Sequence, residues 1–193
     1  MAAPNLYVIA GCNGAGKTTA SFVLLPELLG CKEFVNADEI AKGISPFNVE
    51  GVAITAGKVM LERIQSLISE KEDFGYETTL SSYGTIRIIE SARLHGYRIT
   101  LVFFWLRSPE IAIQRVAQRV REGGHGLPDE TIVRRYHRGI ESFNKITKSM
   151  VDVWMIVDNS DSSFKVIAES SNHNEVKVHD LEIFGRITEG NGK

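Results

Sequence analysis

The sequence of 193 residues is poor in cysteine, in long apolar runs and in excess charge of either sign. Its two cysteines, Cys12 and Cys31, are too few for a disulfide framework, which favours a reducing, cytoplasmic location. No apolar run is long enough to span a bilayer, and the first residues have neither the basic nor the apolar segment of a secretory signal. No membrane association is therefore predicted. The formal net charge of -2 argues against a dedicated nucleic-acid-binding protein, because such proteins are usually basic.

The composition is that of a folded globular protein, with 43% hydrophobic and 24% charged residues. Apolar strand-like runs alternate with amphipathic helical patterns, which predicts an α/β fold with a mostly parallel sheet. We expect one domain over residues 1–193, built as a three-layer sandwich around a five-stranded sheet, with a C-terminal hairpin and tail at about 161–193. The five predicted strands cover residues 6–10, 33–37, 74–79, 98–106 and 151–157.

A glycine-rich segment after the first strand fits the phosphate-loop pattern G-x-x-x-x-G-K-[ST] at every fixed position. Its glycines allow backbone N–H groups to surround a phosphate, and the following helix adds positive potential. Lys17 is expected to reach the β- and γ-phosphates and Thr18 to hold Mg²⁺. The predicted nucleotide-binding residues are Gly11, Asn13, Gly14, Ala15, Gly16, Lys17, Thr18 and Thr19. Cys12 lies inside this loop and is interpreted as a tolerated small residue, not as a redox sensor.

Three acidic residues lie at or near the ends of predicted strands, at the edge of the sheet where ligands bind in open α/β folds. Asp38 could accept a proton from a substrate hydroxyl or help to hold Mg²⁺, or it could cap the next helix. Glu77, followed by Thr78 and Thr79, could bind the metal or an acceptor, or these residues could satisfy backbone groups in a turn. Asp158 is placed as in a Walker B strand, but Asp-Asn-Ser favours a turn.

Seven arginines crowd the segment around residues 109–150, which we predict to be a helical lid. Arginine stabilises the charge that phosphoryl transfer spreads over oxygen atoms, and a loop with three glycines near His125 would supply a hinge. The alternatives are a solvated basic face or a nucleic-acid patch. His125 is not predicted to bind a metal, because no second ligand lies at a usual spacing. The arginines are Arg107, Arg115, Arg119, Arg121, Arg134, Arg135 and Arg138.

These motifs together resemble the zeta-toxin family of P-loop kinases, over residues 5 to about 160. The resemblance rests on the phosphate loop, on the sequences at residues 36–38 and 76–80, and on the arginine-rich lid. The segments 123–128, 134–136 and 158–160 resemble in particular the short bacterial branch described as predicted ABC-type ATPases or kinases. The chain is shorter than typical zeta toxins and has no obvious insert to line a UDP-sugar pocket.

The resemblance implies a kinase that uses ATP and Mg²⁺ to phosphorylate a sugar hydroxyl of UDP-N-acetylglucosamine. It implies that Lys17 binds phosphate, that Thr18 binds the metal, and that Asp38 is the base that activates the acceptor hydroxyl. Glu77 and Thr79 would position the acceptor or the metal. Arg119 would be one catalytic lid arginine, and Arg134 or Arg135, both assigned to nucleotide binding, would be the second lid arginine. An antitoxin-like protein partner is also implied.

We therefore expect a cytoplasmic kinase that transfers the γ-phosphoryl group of ATP to a small-molecule hydroxyl. Two alternatives stay open from the residues themselves. One is an ATP-binding switch or ATPase module without a small-molecule acceptor. The other is a nucleic-acid end kinase, which strong and salt-sensitive oligonucleotide binding would favour.

Overall fold

The computed structural model describes residues 3–146, 150–161, 163–172 and 175–189. These residues form seven strands in one sheet, of which β1 to β5 are parallel, while β6 and β7 are antiparallel to their neighbours. The strands are β1 (Asn5–Gly11), β2 (Glu33–Val35), β3 (Phe74–Thr78), β4 (Arg98–Trp105), β5 (Val153–Asp158), β6 (Lys165–Asn172) and β7 (Glu175–Val178). Their order across the sheet is β2-β3-β1-β4-β5-β6-β7.

Seven α-helices connect or follow these strands in the described residues. A π-helical segment, Leu24–Leu28, extends the first helix, and a 3-10 turn, Glu50–Val52, precedes the third. Individual residues determine where several helices begin. Asn36 caps the second helix, Pro109 is the first residue of the fifth and Asp180 caps the seventh. The helices are α1 (Lys17–Val23), α2 (Ala37–Ile44), α3 (Ala53–Glu70), α4 (Gly84–Leu94), α5 (Pro109–Arg121), α6 (Asp129–Ile146) and α7 (Leu181–Thr188).

The sheet is buried on both faces, because alternate residues of its central strands enter two separate apolar clusters. In β1, Leu6 and Val8 belong to the cluster that includes residues of α3, α4 and α7. Tyr7 and Ile9 belong to the cluster that includes residues of α5 and the start of α6. Since successive side chains of a strand point to opposite faces, helices cover both sides of the sheet. The predicted α/β sandwich is confirmed.

The C-terminal part differs from the prediction in two ways. The predicted hairpin exists, but β6 pairs with β5, so the sheet has seven strands and not five. The region expected to be a loose tail contains α7, which is held because Phe184 stacks on Trp154 with ring centroids 6.3 Å apart. Neither the pairing of β6 with β5 nor the packing of α7 on Trp154 can be predicted from a local pattern, since each depends on residues distant in the sequence. Residues 190–193, at the end of the predicted tail, lie outside the described residues.

The topology brings the glycine loop and the end of β3 together. β1 lies between β3 and β4, and the chain leaves β1 toward β2 on one side but leaves β3 toward β4 on the other. The connections after β1 and β3 therefore run in opposite directions, which makes the crevice at their carboxyl ends the expected ligand site of an open α/β sheet.

Candidate functional site

The glycine loop has a backbone that fits a phosphate cradle. Gly14 and Gly16 have φ angles of 76° and 85°, in the left-handed region that favours glycine. A Cβ atom at Gly14 would lie 2.8 Å from the carbonyl oxygen of Ala112, so α5 packs directly against the loop. α1 begins at Lys17 with no side-chain cap, which leaves its first N–H groups open to an anion. The loop thus fits a nucleoside triphosphate.

Lys17, Thr18 and Glu77 form one cluster at the loop. The Lys17 ammonium donates to the carbonyl of Cys12 at 3.0 Å and lies 3.3 Å from Glu77 Oε1. The Thr18 hydroxyl donates to Glu77 Oε2 at 2.7 Å. A hydroxyl and a carboxylate are hard oxygen ligands of the kind Mg²⁺ accepts, usually with phosphate and water completing its shell. The cluster therefore fits a magnesium site in which Thr18 and Glu77 are the protein ligands.

The described residues contain no group of three or more His, Cys, Asp or Glu side chains suited to hold a metal. Within the same part of the chain, no helix is both long enough and apolar enough to cross a membrane.

Asn36 joins Glu77 to the start of α2. Its side-chain nitrogen donates to Glu77 Oε2 at 2.8 Å. Its side-chain oxygen accepts from the backbone N–H groups of Asp38 and Glu39, at 2.8 Å and 3.2 Å. Asn36 is thus the helix cap, and the alternative prediction that Asp38 is the cap is wrong. The Asp38 side chain is left 46% exposed, free to face a ligand.

Two lid arginines contact the glycine loop. Arg135 donates to the Asn13 side chain at 3.1 Å, and Arg115 donates to the Gly14 carbonyl at 3.4 Å. Arg134 is exposed. Burial lowers the pKa of Arg135, while the charge of Asp38 acts in the opposite direction. Sequence reasoning named Arg115 only as one of seven arginines, and nothing in its spacing marked it as the residue that faces the loop.

Arg119 faces the hinge loop, residues 122–128, that connects α5 and α6. Its guanidinium donates to the carbonyl of His125 at 3.0 Å. The His125 ring in turn has Nε2 3.4 Å from Asp38 Oδ2. His125 therefore belongs to the site. The sequence predicts no role for it, because a single histidine in a glycine-rich loop has no local pattern that marks it as a site residue.

The remaining candidates lie at the ends of β3 and β5. The Thr79 hydroxyl is 2.7 Å from the Ser81 hydroxyl, in the turn after β3. Asp158 is 4% exposed and accepts from the backbone N–H of Ser160 at 2.8 Å, as expected of the turn former that the sequence favoured. Asn159, which was not predicted, donates to the carbonyl of Ala15 at 2.8 Å and so fastens the glycine loop to the end of β5.

Cys12 lies buried in the glycine loop. Burial raises the pKa of its thiol to about 11, although the nearby Lys17 charge acts to lower it. The thiol is therefore protonated at neutral pH and a poor nucleophile, which agrees with its interpretation as a small packing residue.

The zeta toxin family model matches residues 1–171 of the sequence. The chain belongs to the zeta toxin family. An uncharacterised protein of Haemophilus influenzae is 28% identical over 126 residues, which are 65% of this chain and 88% of that protein.

Solved structures share the fold of this zeta toxin family member. A structure of the PezAT chromosomal toxin–antitoxin system of Streptococcus pneumoniae superposes with a TM-score of 0.69 at 16% identity, over 100% of this chain and 81% of that one. A structure of AvrRxo1-ORF1:-ORF2 with ATP superposes with a TM-score of 0.73 at 16% identity. It covers 96% of this chain but only 63% of that one, so the present chain spans less than two thirds of that protein. Family and fold together support a P-loop kinase or ATPase.

Proposed function

We propose that this protein is an ATP- and Mg²⁺-dependent kinase that transfers the γ-phosphoryl group to a hydroxyl of a small molecule. The acceptor we propose is a nucleotide sugar of the UDP-N-acetylglucosamine type, on the strength of family membership. The observation that carries the kinase proposal is the Asn36 bridge. One buried amide binds Glu77 of the phosphate-loop cluster and also the backbone N–H of Asp38, which links the first turn of α2, with its half-exposed Asp38 carboxylate, to that cluster.

Each residue of the cluster has a defined task in this proposal. Lys17 binds phosphate oxygens, and Thr18 and Glu77 hold Mg²⁺. Asp38 accepts the proton of the acceptor hydroxyl, a task that requires a carboxylate within reach of the acceptor and open to it. Bound ATP supplies the phosphoryl group.

Two lid arginines and Thr79 are proposed to position the substrates and to stabilise negative charge. Arg135 is anchored on Asn13 of the loop, and Arg119 on the hinge loop beside Asp38. Their fixed positive charges would stabilise the negative charge that develops on the transferred group. Thr79, at the end of β3, is proposed to contact the acceptor.

The proposal is tested by incubating the protein with ATP, Mg²⁺ and UDP-N-acetylglucosamine, and by searching for a product heavier by one phosphoryl group with mass spectrometry. Asp38→Asn is expected to lower turnover by about 10²–10⁴-fold, the usual contribution of a general base. Glu39→Gln is the matched control. Glu39 also lies in the first turn of α2, but it pairs with Lys42 at 2.6 Å on the exposed surface, so its loss leaves turnover unchanged.

The same assay separates the alternatives. ATP hydrolysis that no small molecule stimulates would contradict the kinase proposal and favour an ATPase or switch module. Phosphorylation of an oligonucleotide end, in place of any sugar, would contradict the proposed acceptor. Turnover that survives Asp38→Asn would show that Asp38 is not the base.

We further propose an antitoxin-like protein partner and a cytoplasmic location. PezAT is a toxin–antitoxin system, and AvrRxo1-ORF1 was solved together with ORF2. Both cysteines of this chain are buried free thiols, as suits a reducing compartment. Expression of the wild type alone is expected to slow bacterial growth more than expression of Asp38→Asn does, and equal growth of the two strains would contradict a growth-inhibiting activity that such a partner would counter.

A further inference from the structure

His125 lies between the proposed base and a lid arginine. Its Nε2 atom is 3.4 Å from Asp38 Oδ2 and also 3.4 Å from Nη2 of Arg119. The His125 side chain is 14% exposed, whereas that of Asp38 is 46% exposed. The imidazole is therefore enclosed by the hinge loop, while the carboxylate it faces remains open on its other side.

The Nε2 atom of His125 cannot form a hydrogen bond with Asp38 and with Arg119 at the same time. A protonated Nε2 donates to Asp38, whereas an unprotonated Nε2 accepts from Arg119. Arg119 already donates to the backbone carbonyl of His125, at the shorter distance of 3.0 Å. The guanidinium therefore has an acceptor that does not depend on the ring, so Nε2 can carry a proton and face the carboxylate across the 3.4 Å that separates them.

The position of the ring is set by the backbone of the hinge loop. The Gly124 N–H donates to the carbonyl of Arg119 at 2.8 Å, and Gly123 has a φ of 88°. A Cβ atom at Gly124 would lie 2.6 Å from Cγ of Arg119 and 3.0 Å from its carbonyl oxygen, so a larger residue there would displace the arginine or the loop. The contacts of the hinge loop with Arg119 of α5 thus determine the position of His125.

His125 also lines a cavity of about 490 Å³ between the hinge loop and the segment that follows α2. Lys42 and the fully exposed Phe47 line the opposite part of this cavity. A molecule that enters the cavity therefore meets His125, whose ring is in contact with Asp38.

We propose that His125 is a positioning residue for Asp38. In its Nε2–H tautomer it donates to Asp38 Oδ2 and holds that carboxylate in place, while Arg119 holds the backbone of His125. The hinge loop thereby sets the orientation of the base. This inference rests on the proposed function only for the assignment of Asp38 as the base, and the contact itself is testable without any activity.

The first test observes the ring directly. Long-range ¹H–¹⁵N correlation spectra at pH 8 give the tautomer of each histidine, and His125→Gln identifies the signal. We expect the Nε2–H tautomer in the wild type and a shift toward the Nδ1–H tautomer in Asp38→Ala, where only Arg119 remains as a partner. An Nδ1–H tautomer in the wild type would overturn the proposal, since Nε2 would then have no proton to donate.

The second test measures turnover with ATP and UDP-N-acetylglucosamine, or ATP hydrolysis if the wild type transfers only to water. His125→Phe, which keeps a planar ring but has no donor, is expected to lower kcat about tenfold with the KM for ATP unchanged. His125→Gln places an amide N–H near the same position and is expected to restore most of the loss. His179→Gln is the matched control, because His179 also faces a carboxylate, Glu169 at 3.0 Å, but lies near β7.

The double variant His125→Phe, Asp38→Asn decides whether His125 acts through Asp38. If it does, the double variant is no slower than Asp38→Asn alone, because the two losses are not additive. A double variant about tenfold slower than Asp38→Asn, or a His125→Gln variant as slow as His125→Phe, would overturn the positioning role. If Asp38→Asn keeps full turnover while the tautomer result holds, the proposed base is wrong but the contact is established.

Discussion

Replacing Asn36 with alanine tests whether one buried amide joins the phosphate-loop cluster to α2. The Asn36 side chain makes three hydrogen bonds: it caps two N–H groups of α2 and donates to the Glu77 carboxylate. Loss of the cap costs about 1 kcal/mol. Loss of a hydrogen bond to a charged group costs about 1.5–3 kcal/mol. Asn36→Ala is therefore expected to lower the free energy of unfolding by about 2.5–4 kcal/mol.

A second substitution separates the two contributions. Serine is also a good helix cap, so Asn36→Ser keeps the cap but loses the bond to Glu77. It is expected to cost about 1 kcal/mol less than Asn36→Ala. Both values can be measured by urea denaturation followed by tryptophan fluorescence, because Trp105 and Trp154 are buried.

The control is Asn48→Ala. Asn48 also accepts from a backbone N–H, that of Gly51 at 3.2 Å, but it is exposed and lies in the loop after α2. Its loss is expected to cost less than about 1 kcal/mol. If Asn36→Ala destabilises the protein no more than Asn48→Ala does, the bridge contributes nothing and the reasoning from its three bonds is wrong.

Three further predictions concern the glycine loop and the lid. Gly16→Ala is expected to destabilise the protein by about 1–3 kcal/mol and to weaken ATP binding in calorimetry, because alanine is strained at a φ of 85°. Arg135→Ala is expected to raise the KM for ATP about tenfold through loss of its bond to Asn13, while Arg138→Ala, an exposed change on the same helix, leaves it unchanged. Iodoacetamide is expected to alkylate Cys12 slowly at pH 7 to 9, because its raised pKa of about 11 keeps the reactive thiolate scarce below that value.

Each of these predictions has a clear contrary result. A Gly16→Ala variant with normal ATP affinity would show that the loop is not the phosphate site. An equal rise in KM for Arg138→Ala would show that general positive charge, and not the bond to Asn13, binds ATP. Alkylation of Cys12 as fast as that of a small-molecule thiol at pH 8 would contradict the effect of burial on its pKa.

The sequence predicted those parts of the site that a local segment encodes. The glycine loop is such a part, because its turn, its glycines and the following helix are contiguous. The same holds for Asp38, which follows β2, and for Glu77, which lies near the end of β3, since the carboxyl ends of parallel strands meet at one edge of the sheet. The structure places Lys17, Thr18 and Glu77 in one cluster accordingly.

The sequence did not distinguish the arginines of the lid from one another. Arg115 contacts the loop only because α5 packs its backbone at Ala112 against Gly14. Arg135 reaches Asn13 because α6 lies across the same face of the sheet, with Tyr136 buried there. The spacing of arginines on a helix indicates a shared face, but not which face meets the loop.

By itself, the amino-acid sequence determined the class of the fold and the identity of the phosphate loop, because both depend on periodicity and on residues adjacent in the chain. The tertiary structure alone decided that β6 and β7 extend the sheet, that Asn36 and not Asp38 caps α2, and that His125 contacts Asp38. Each of these three features depends on which segments, distant in the sequence, come within hydrogen-bond distance of one another. The packing of the whole chain determines those distances.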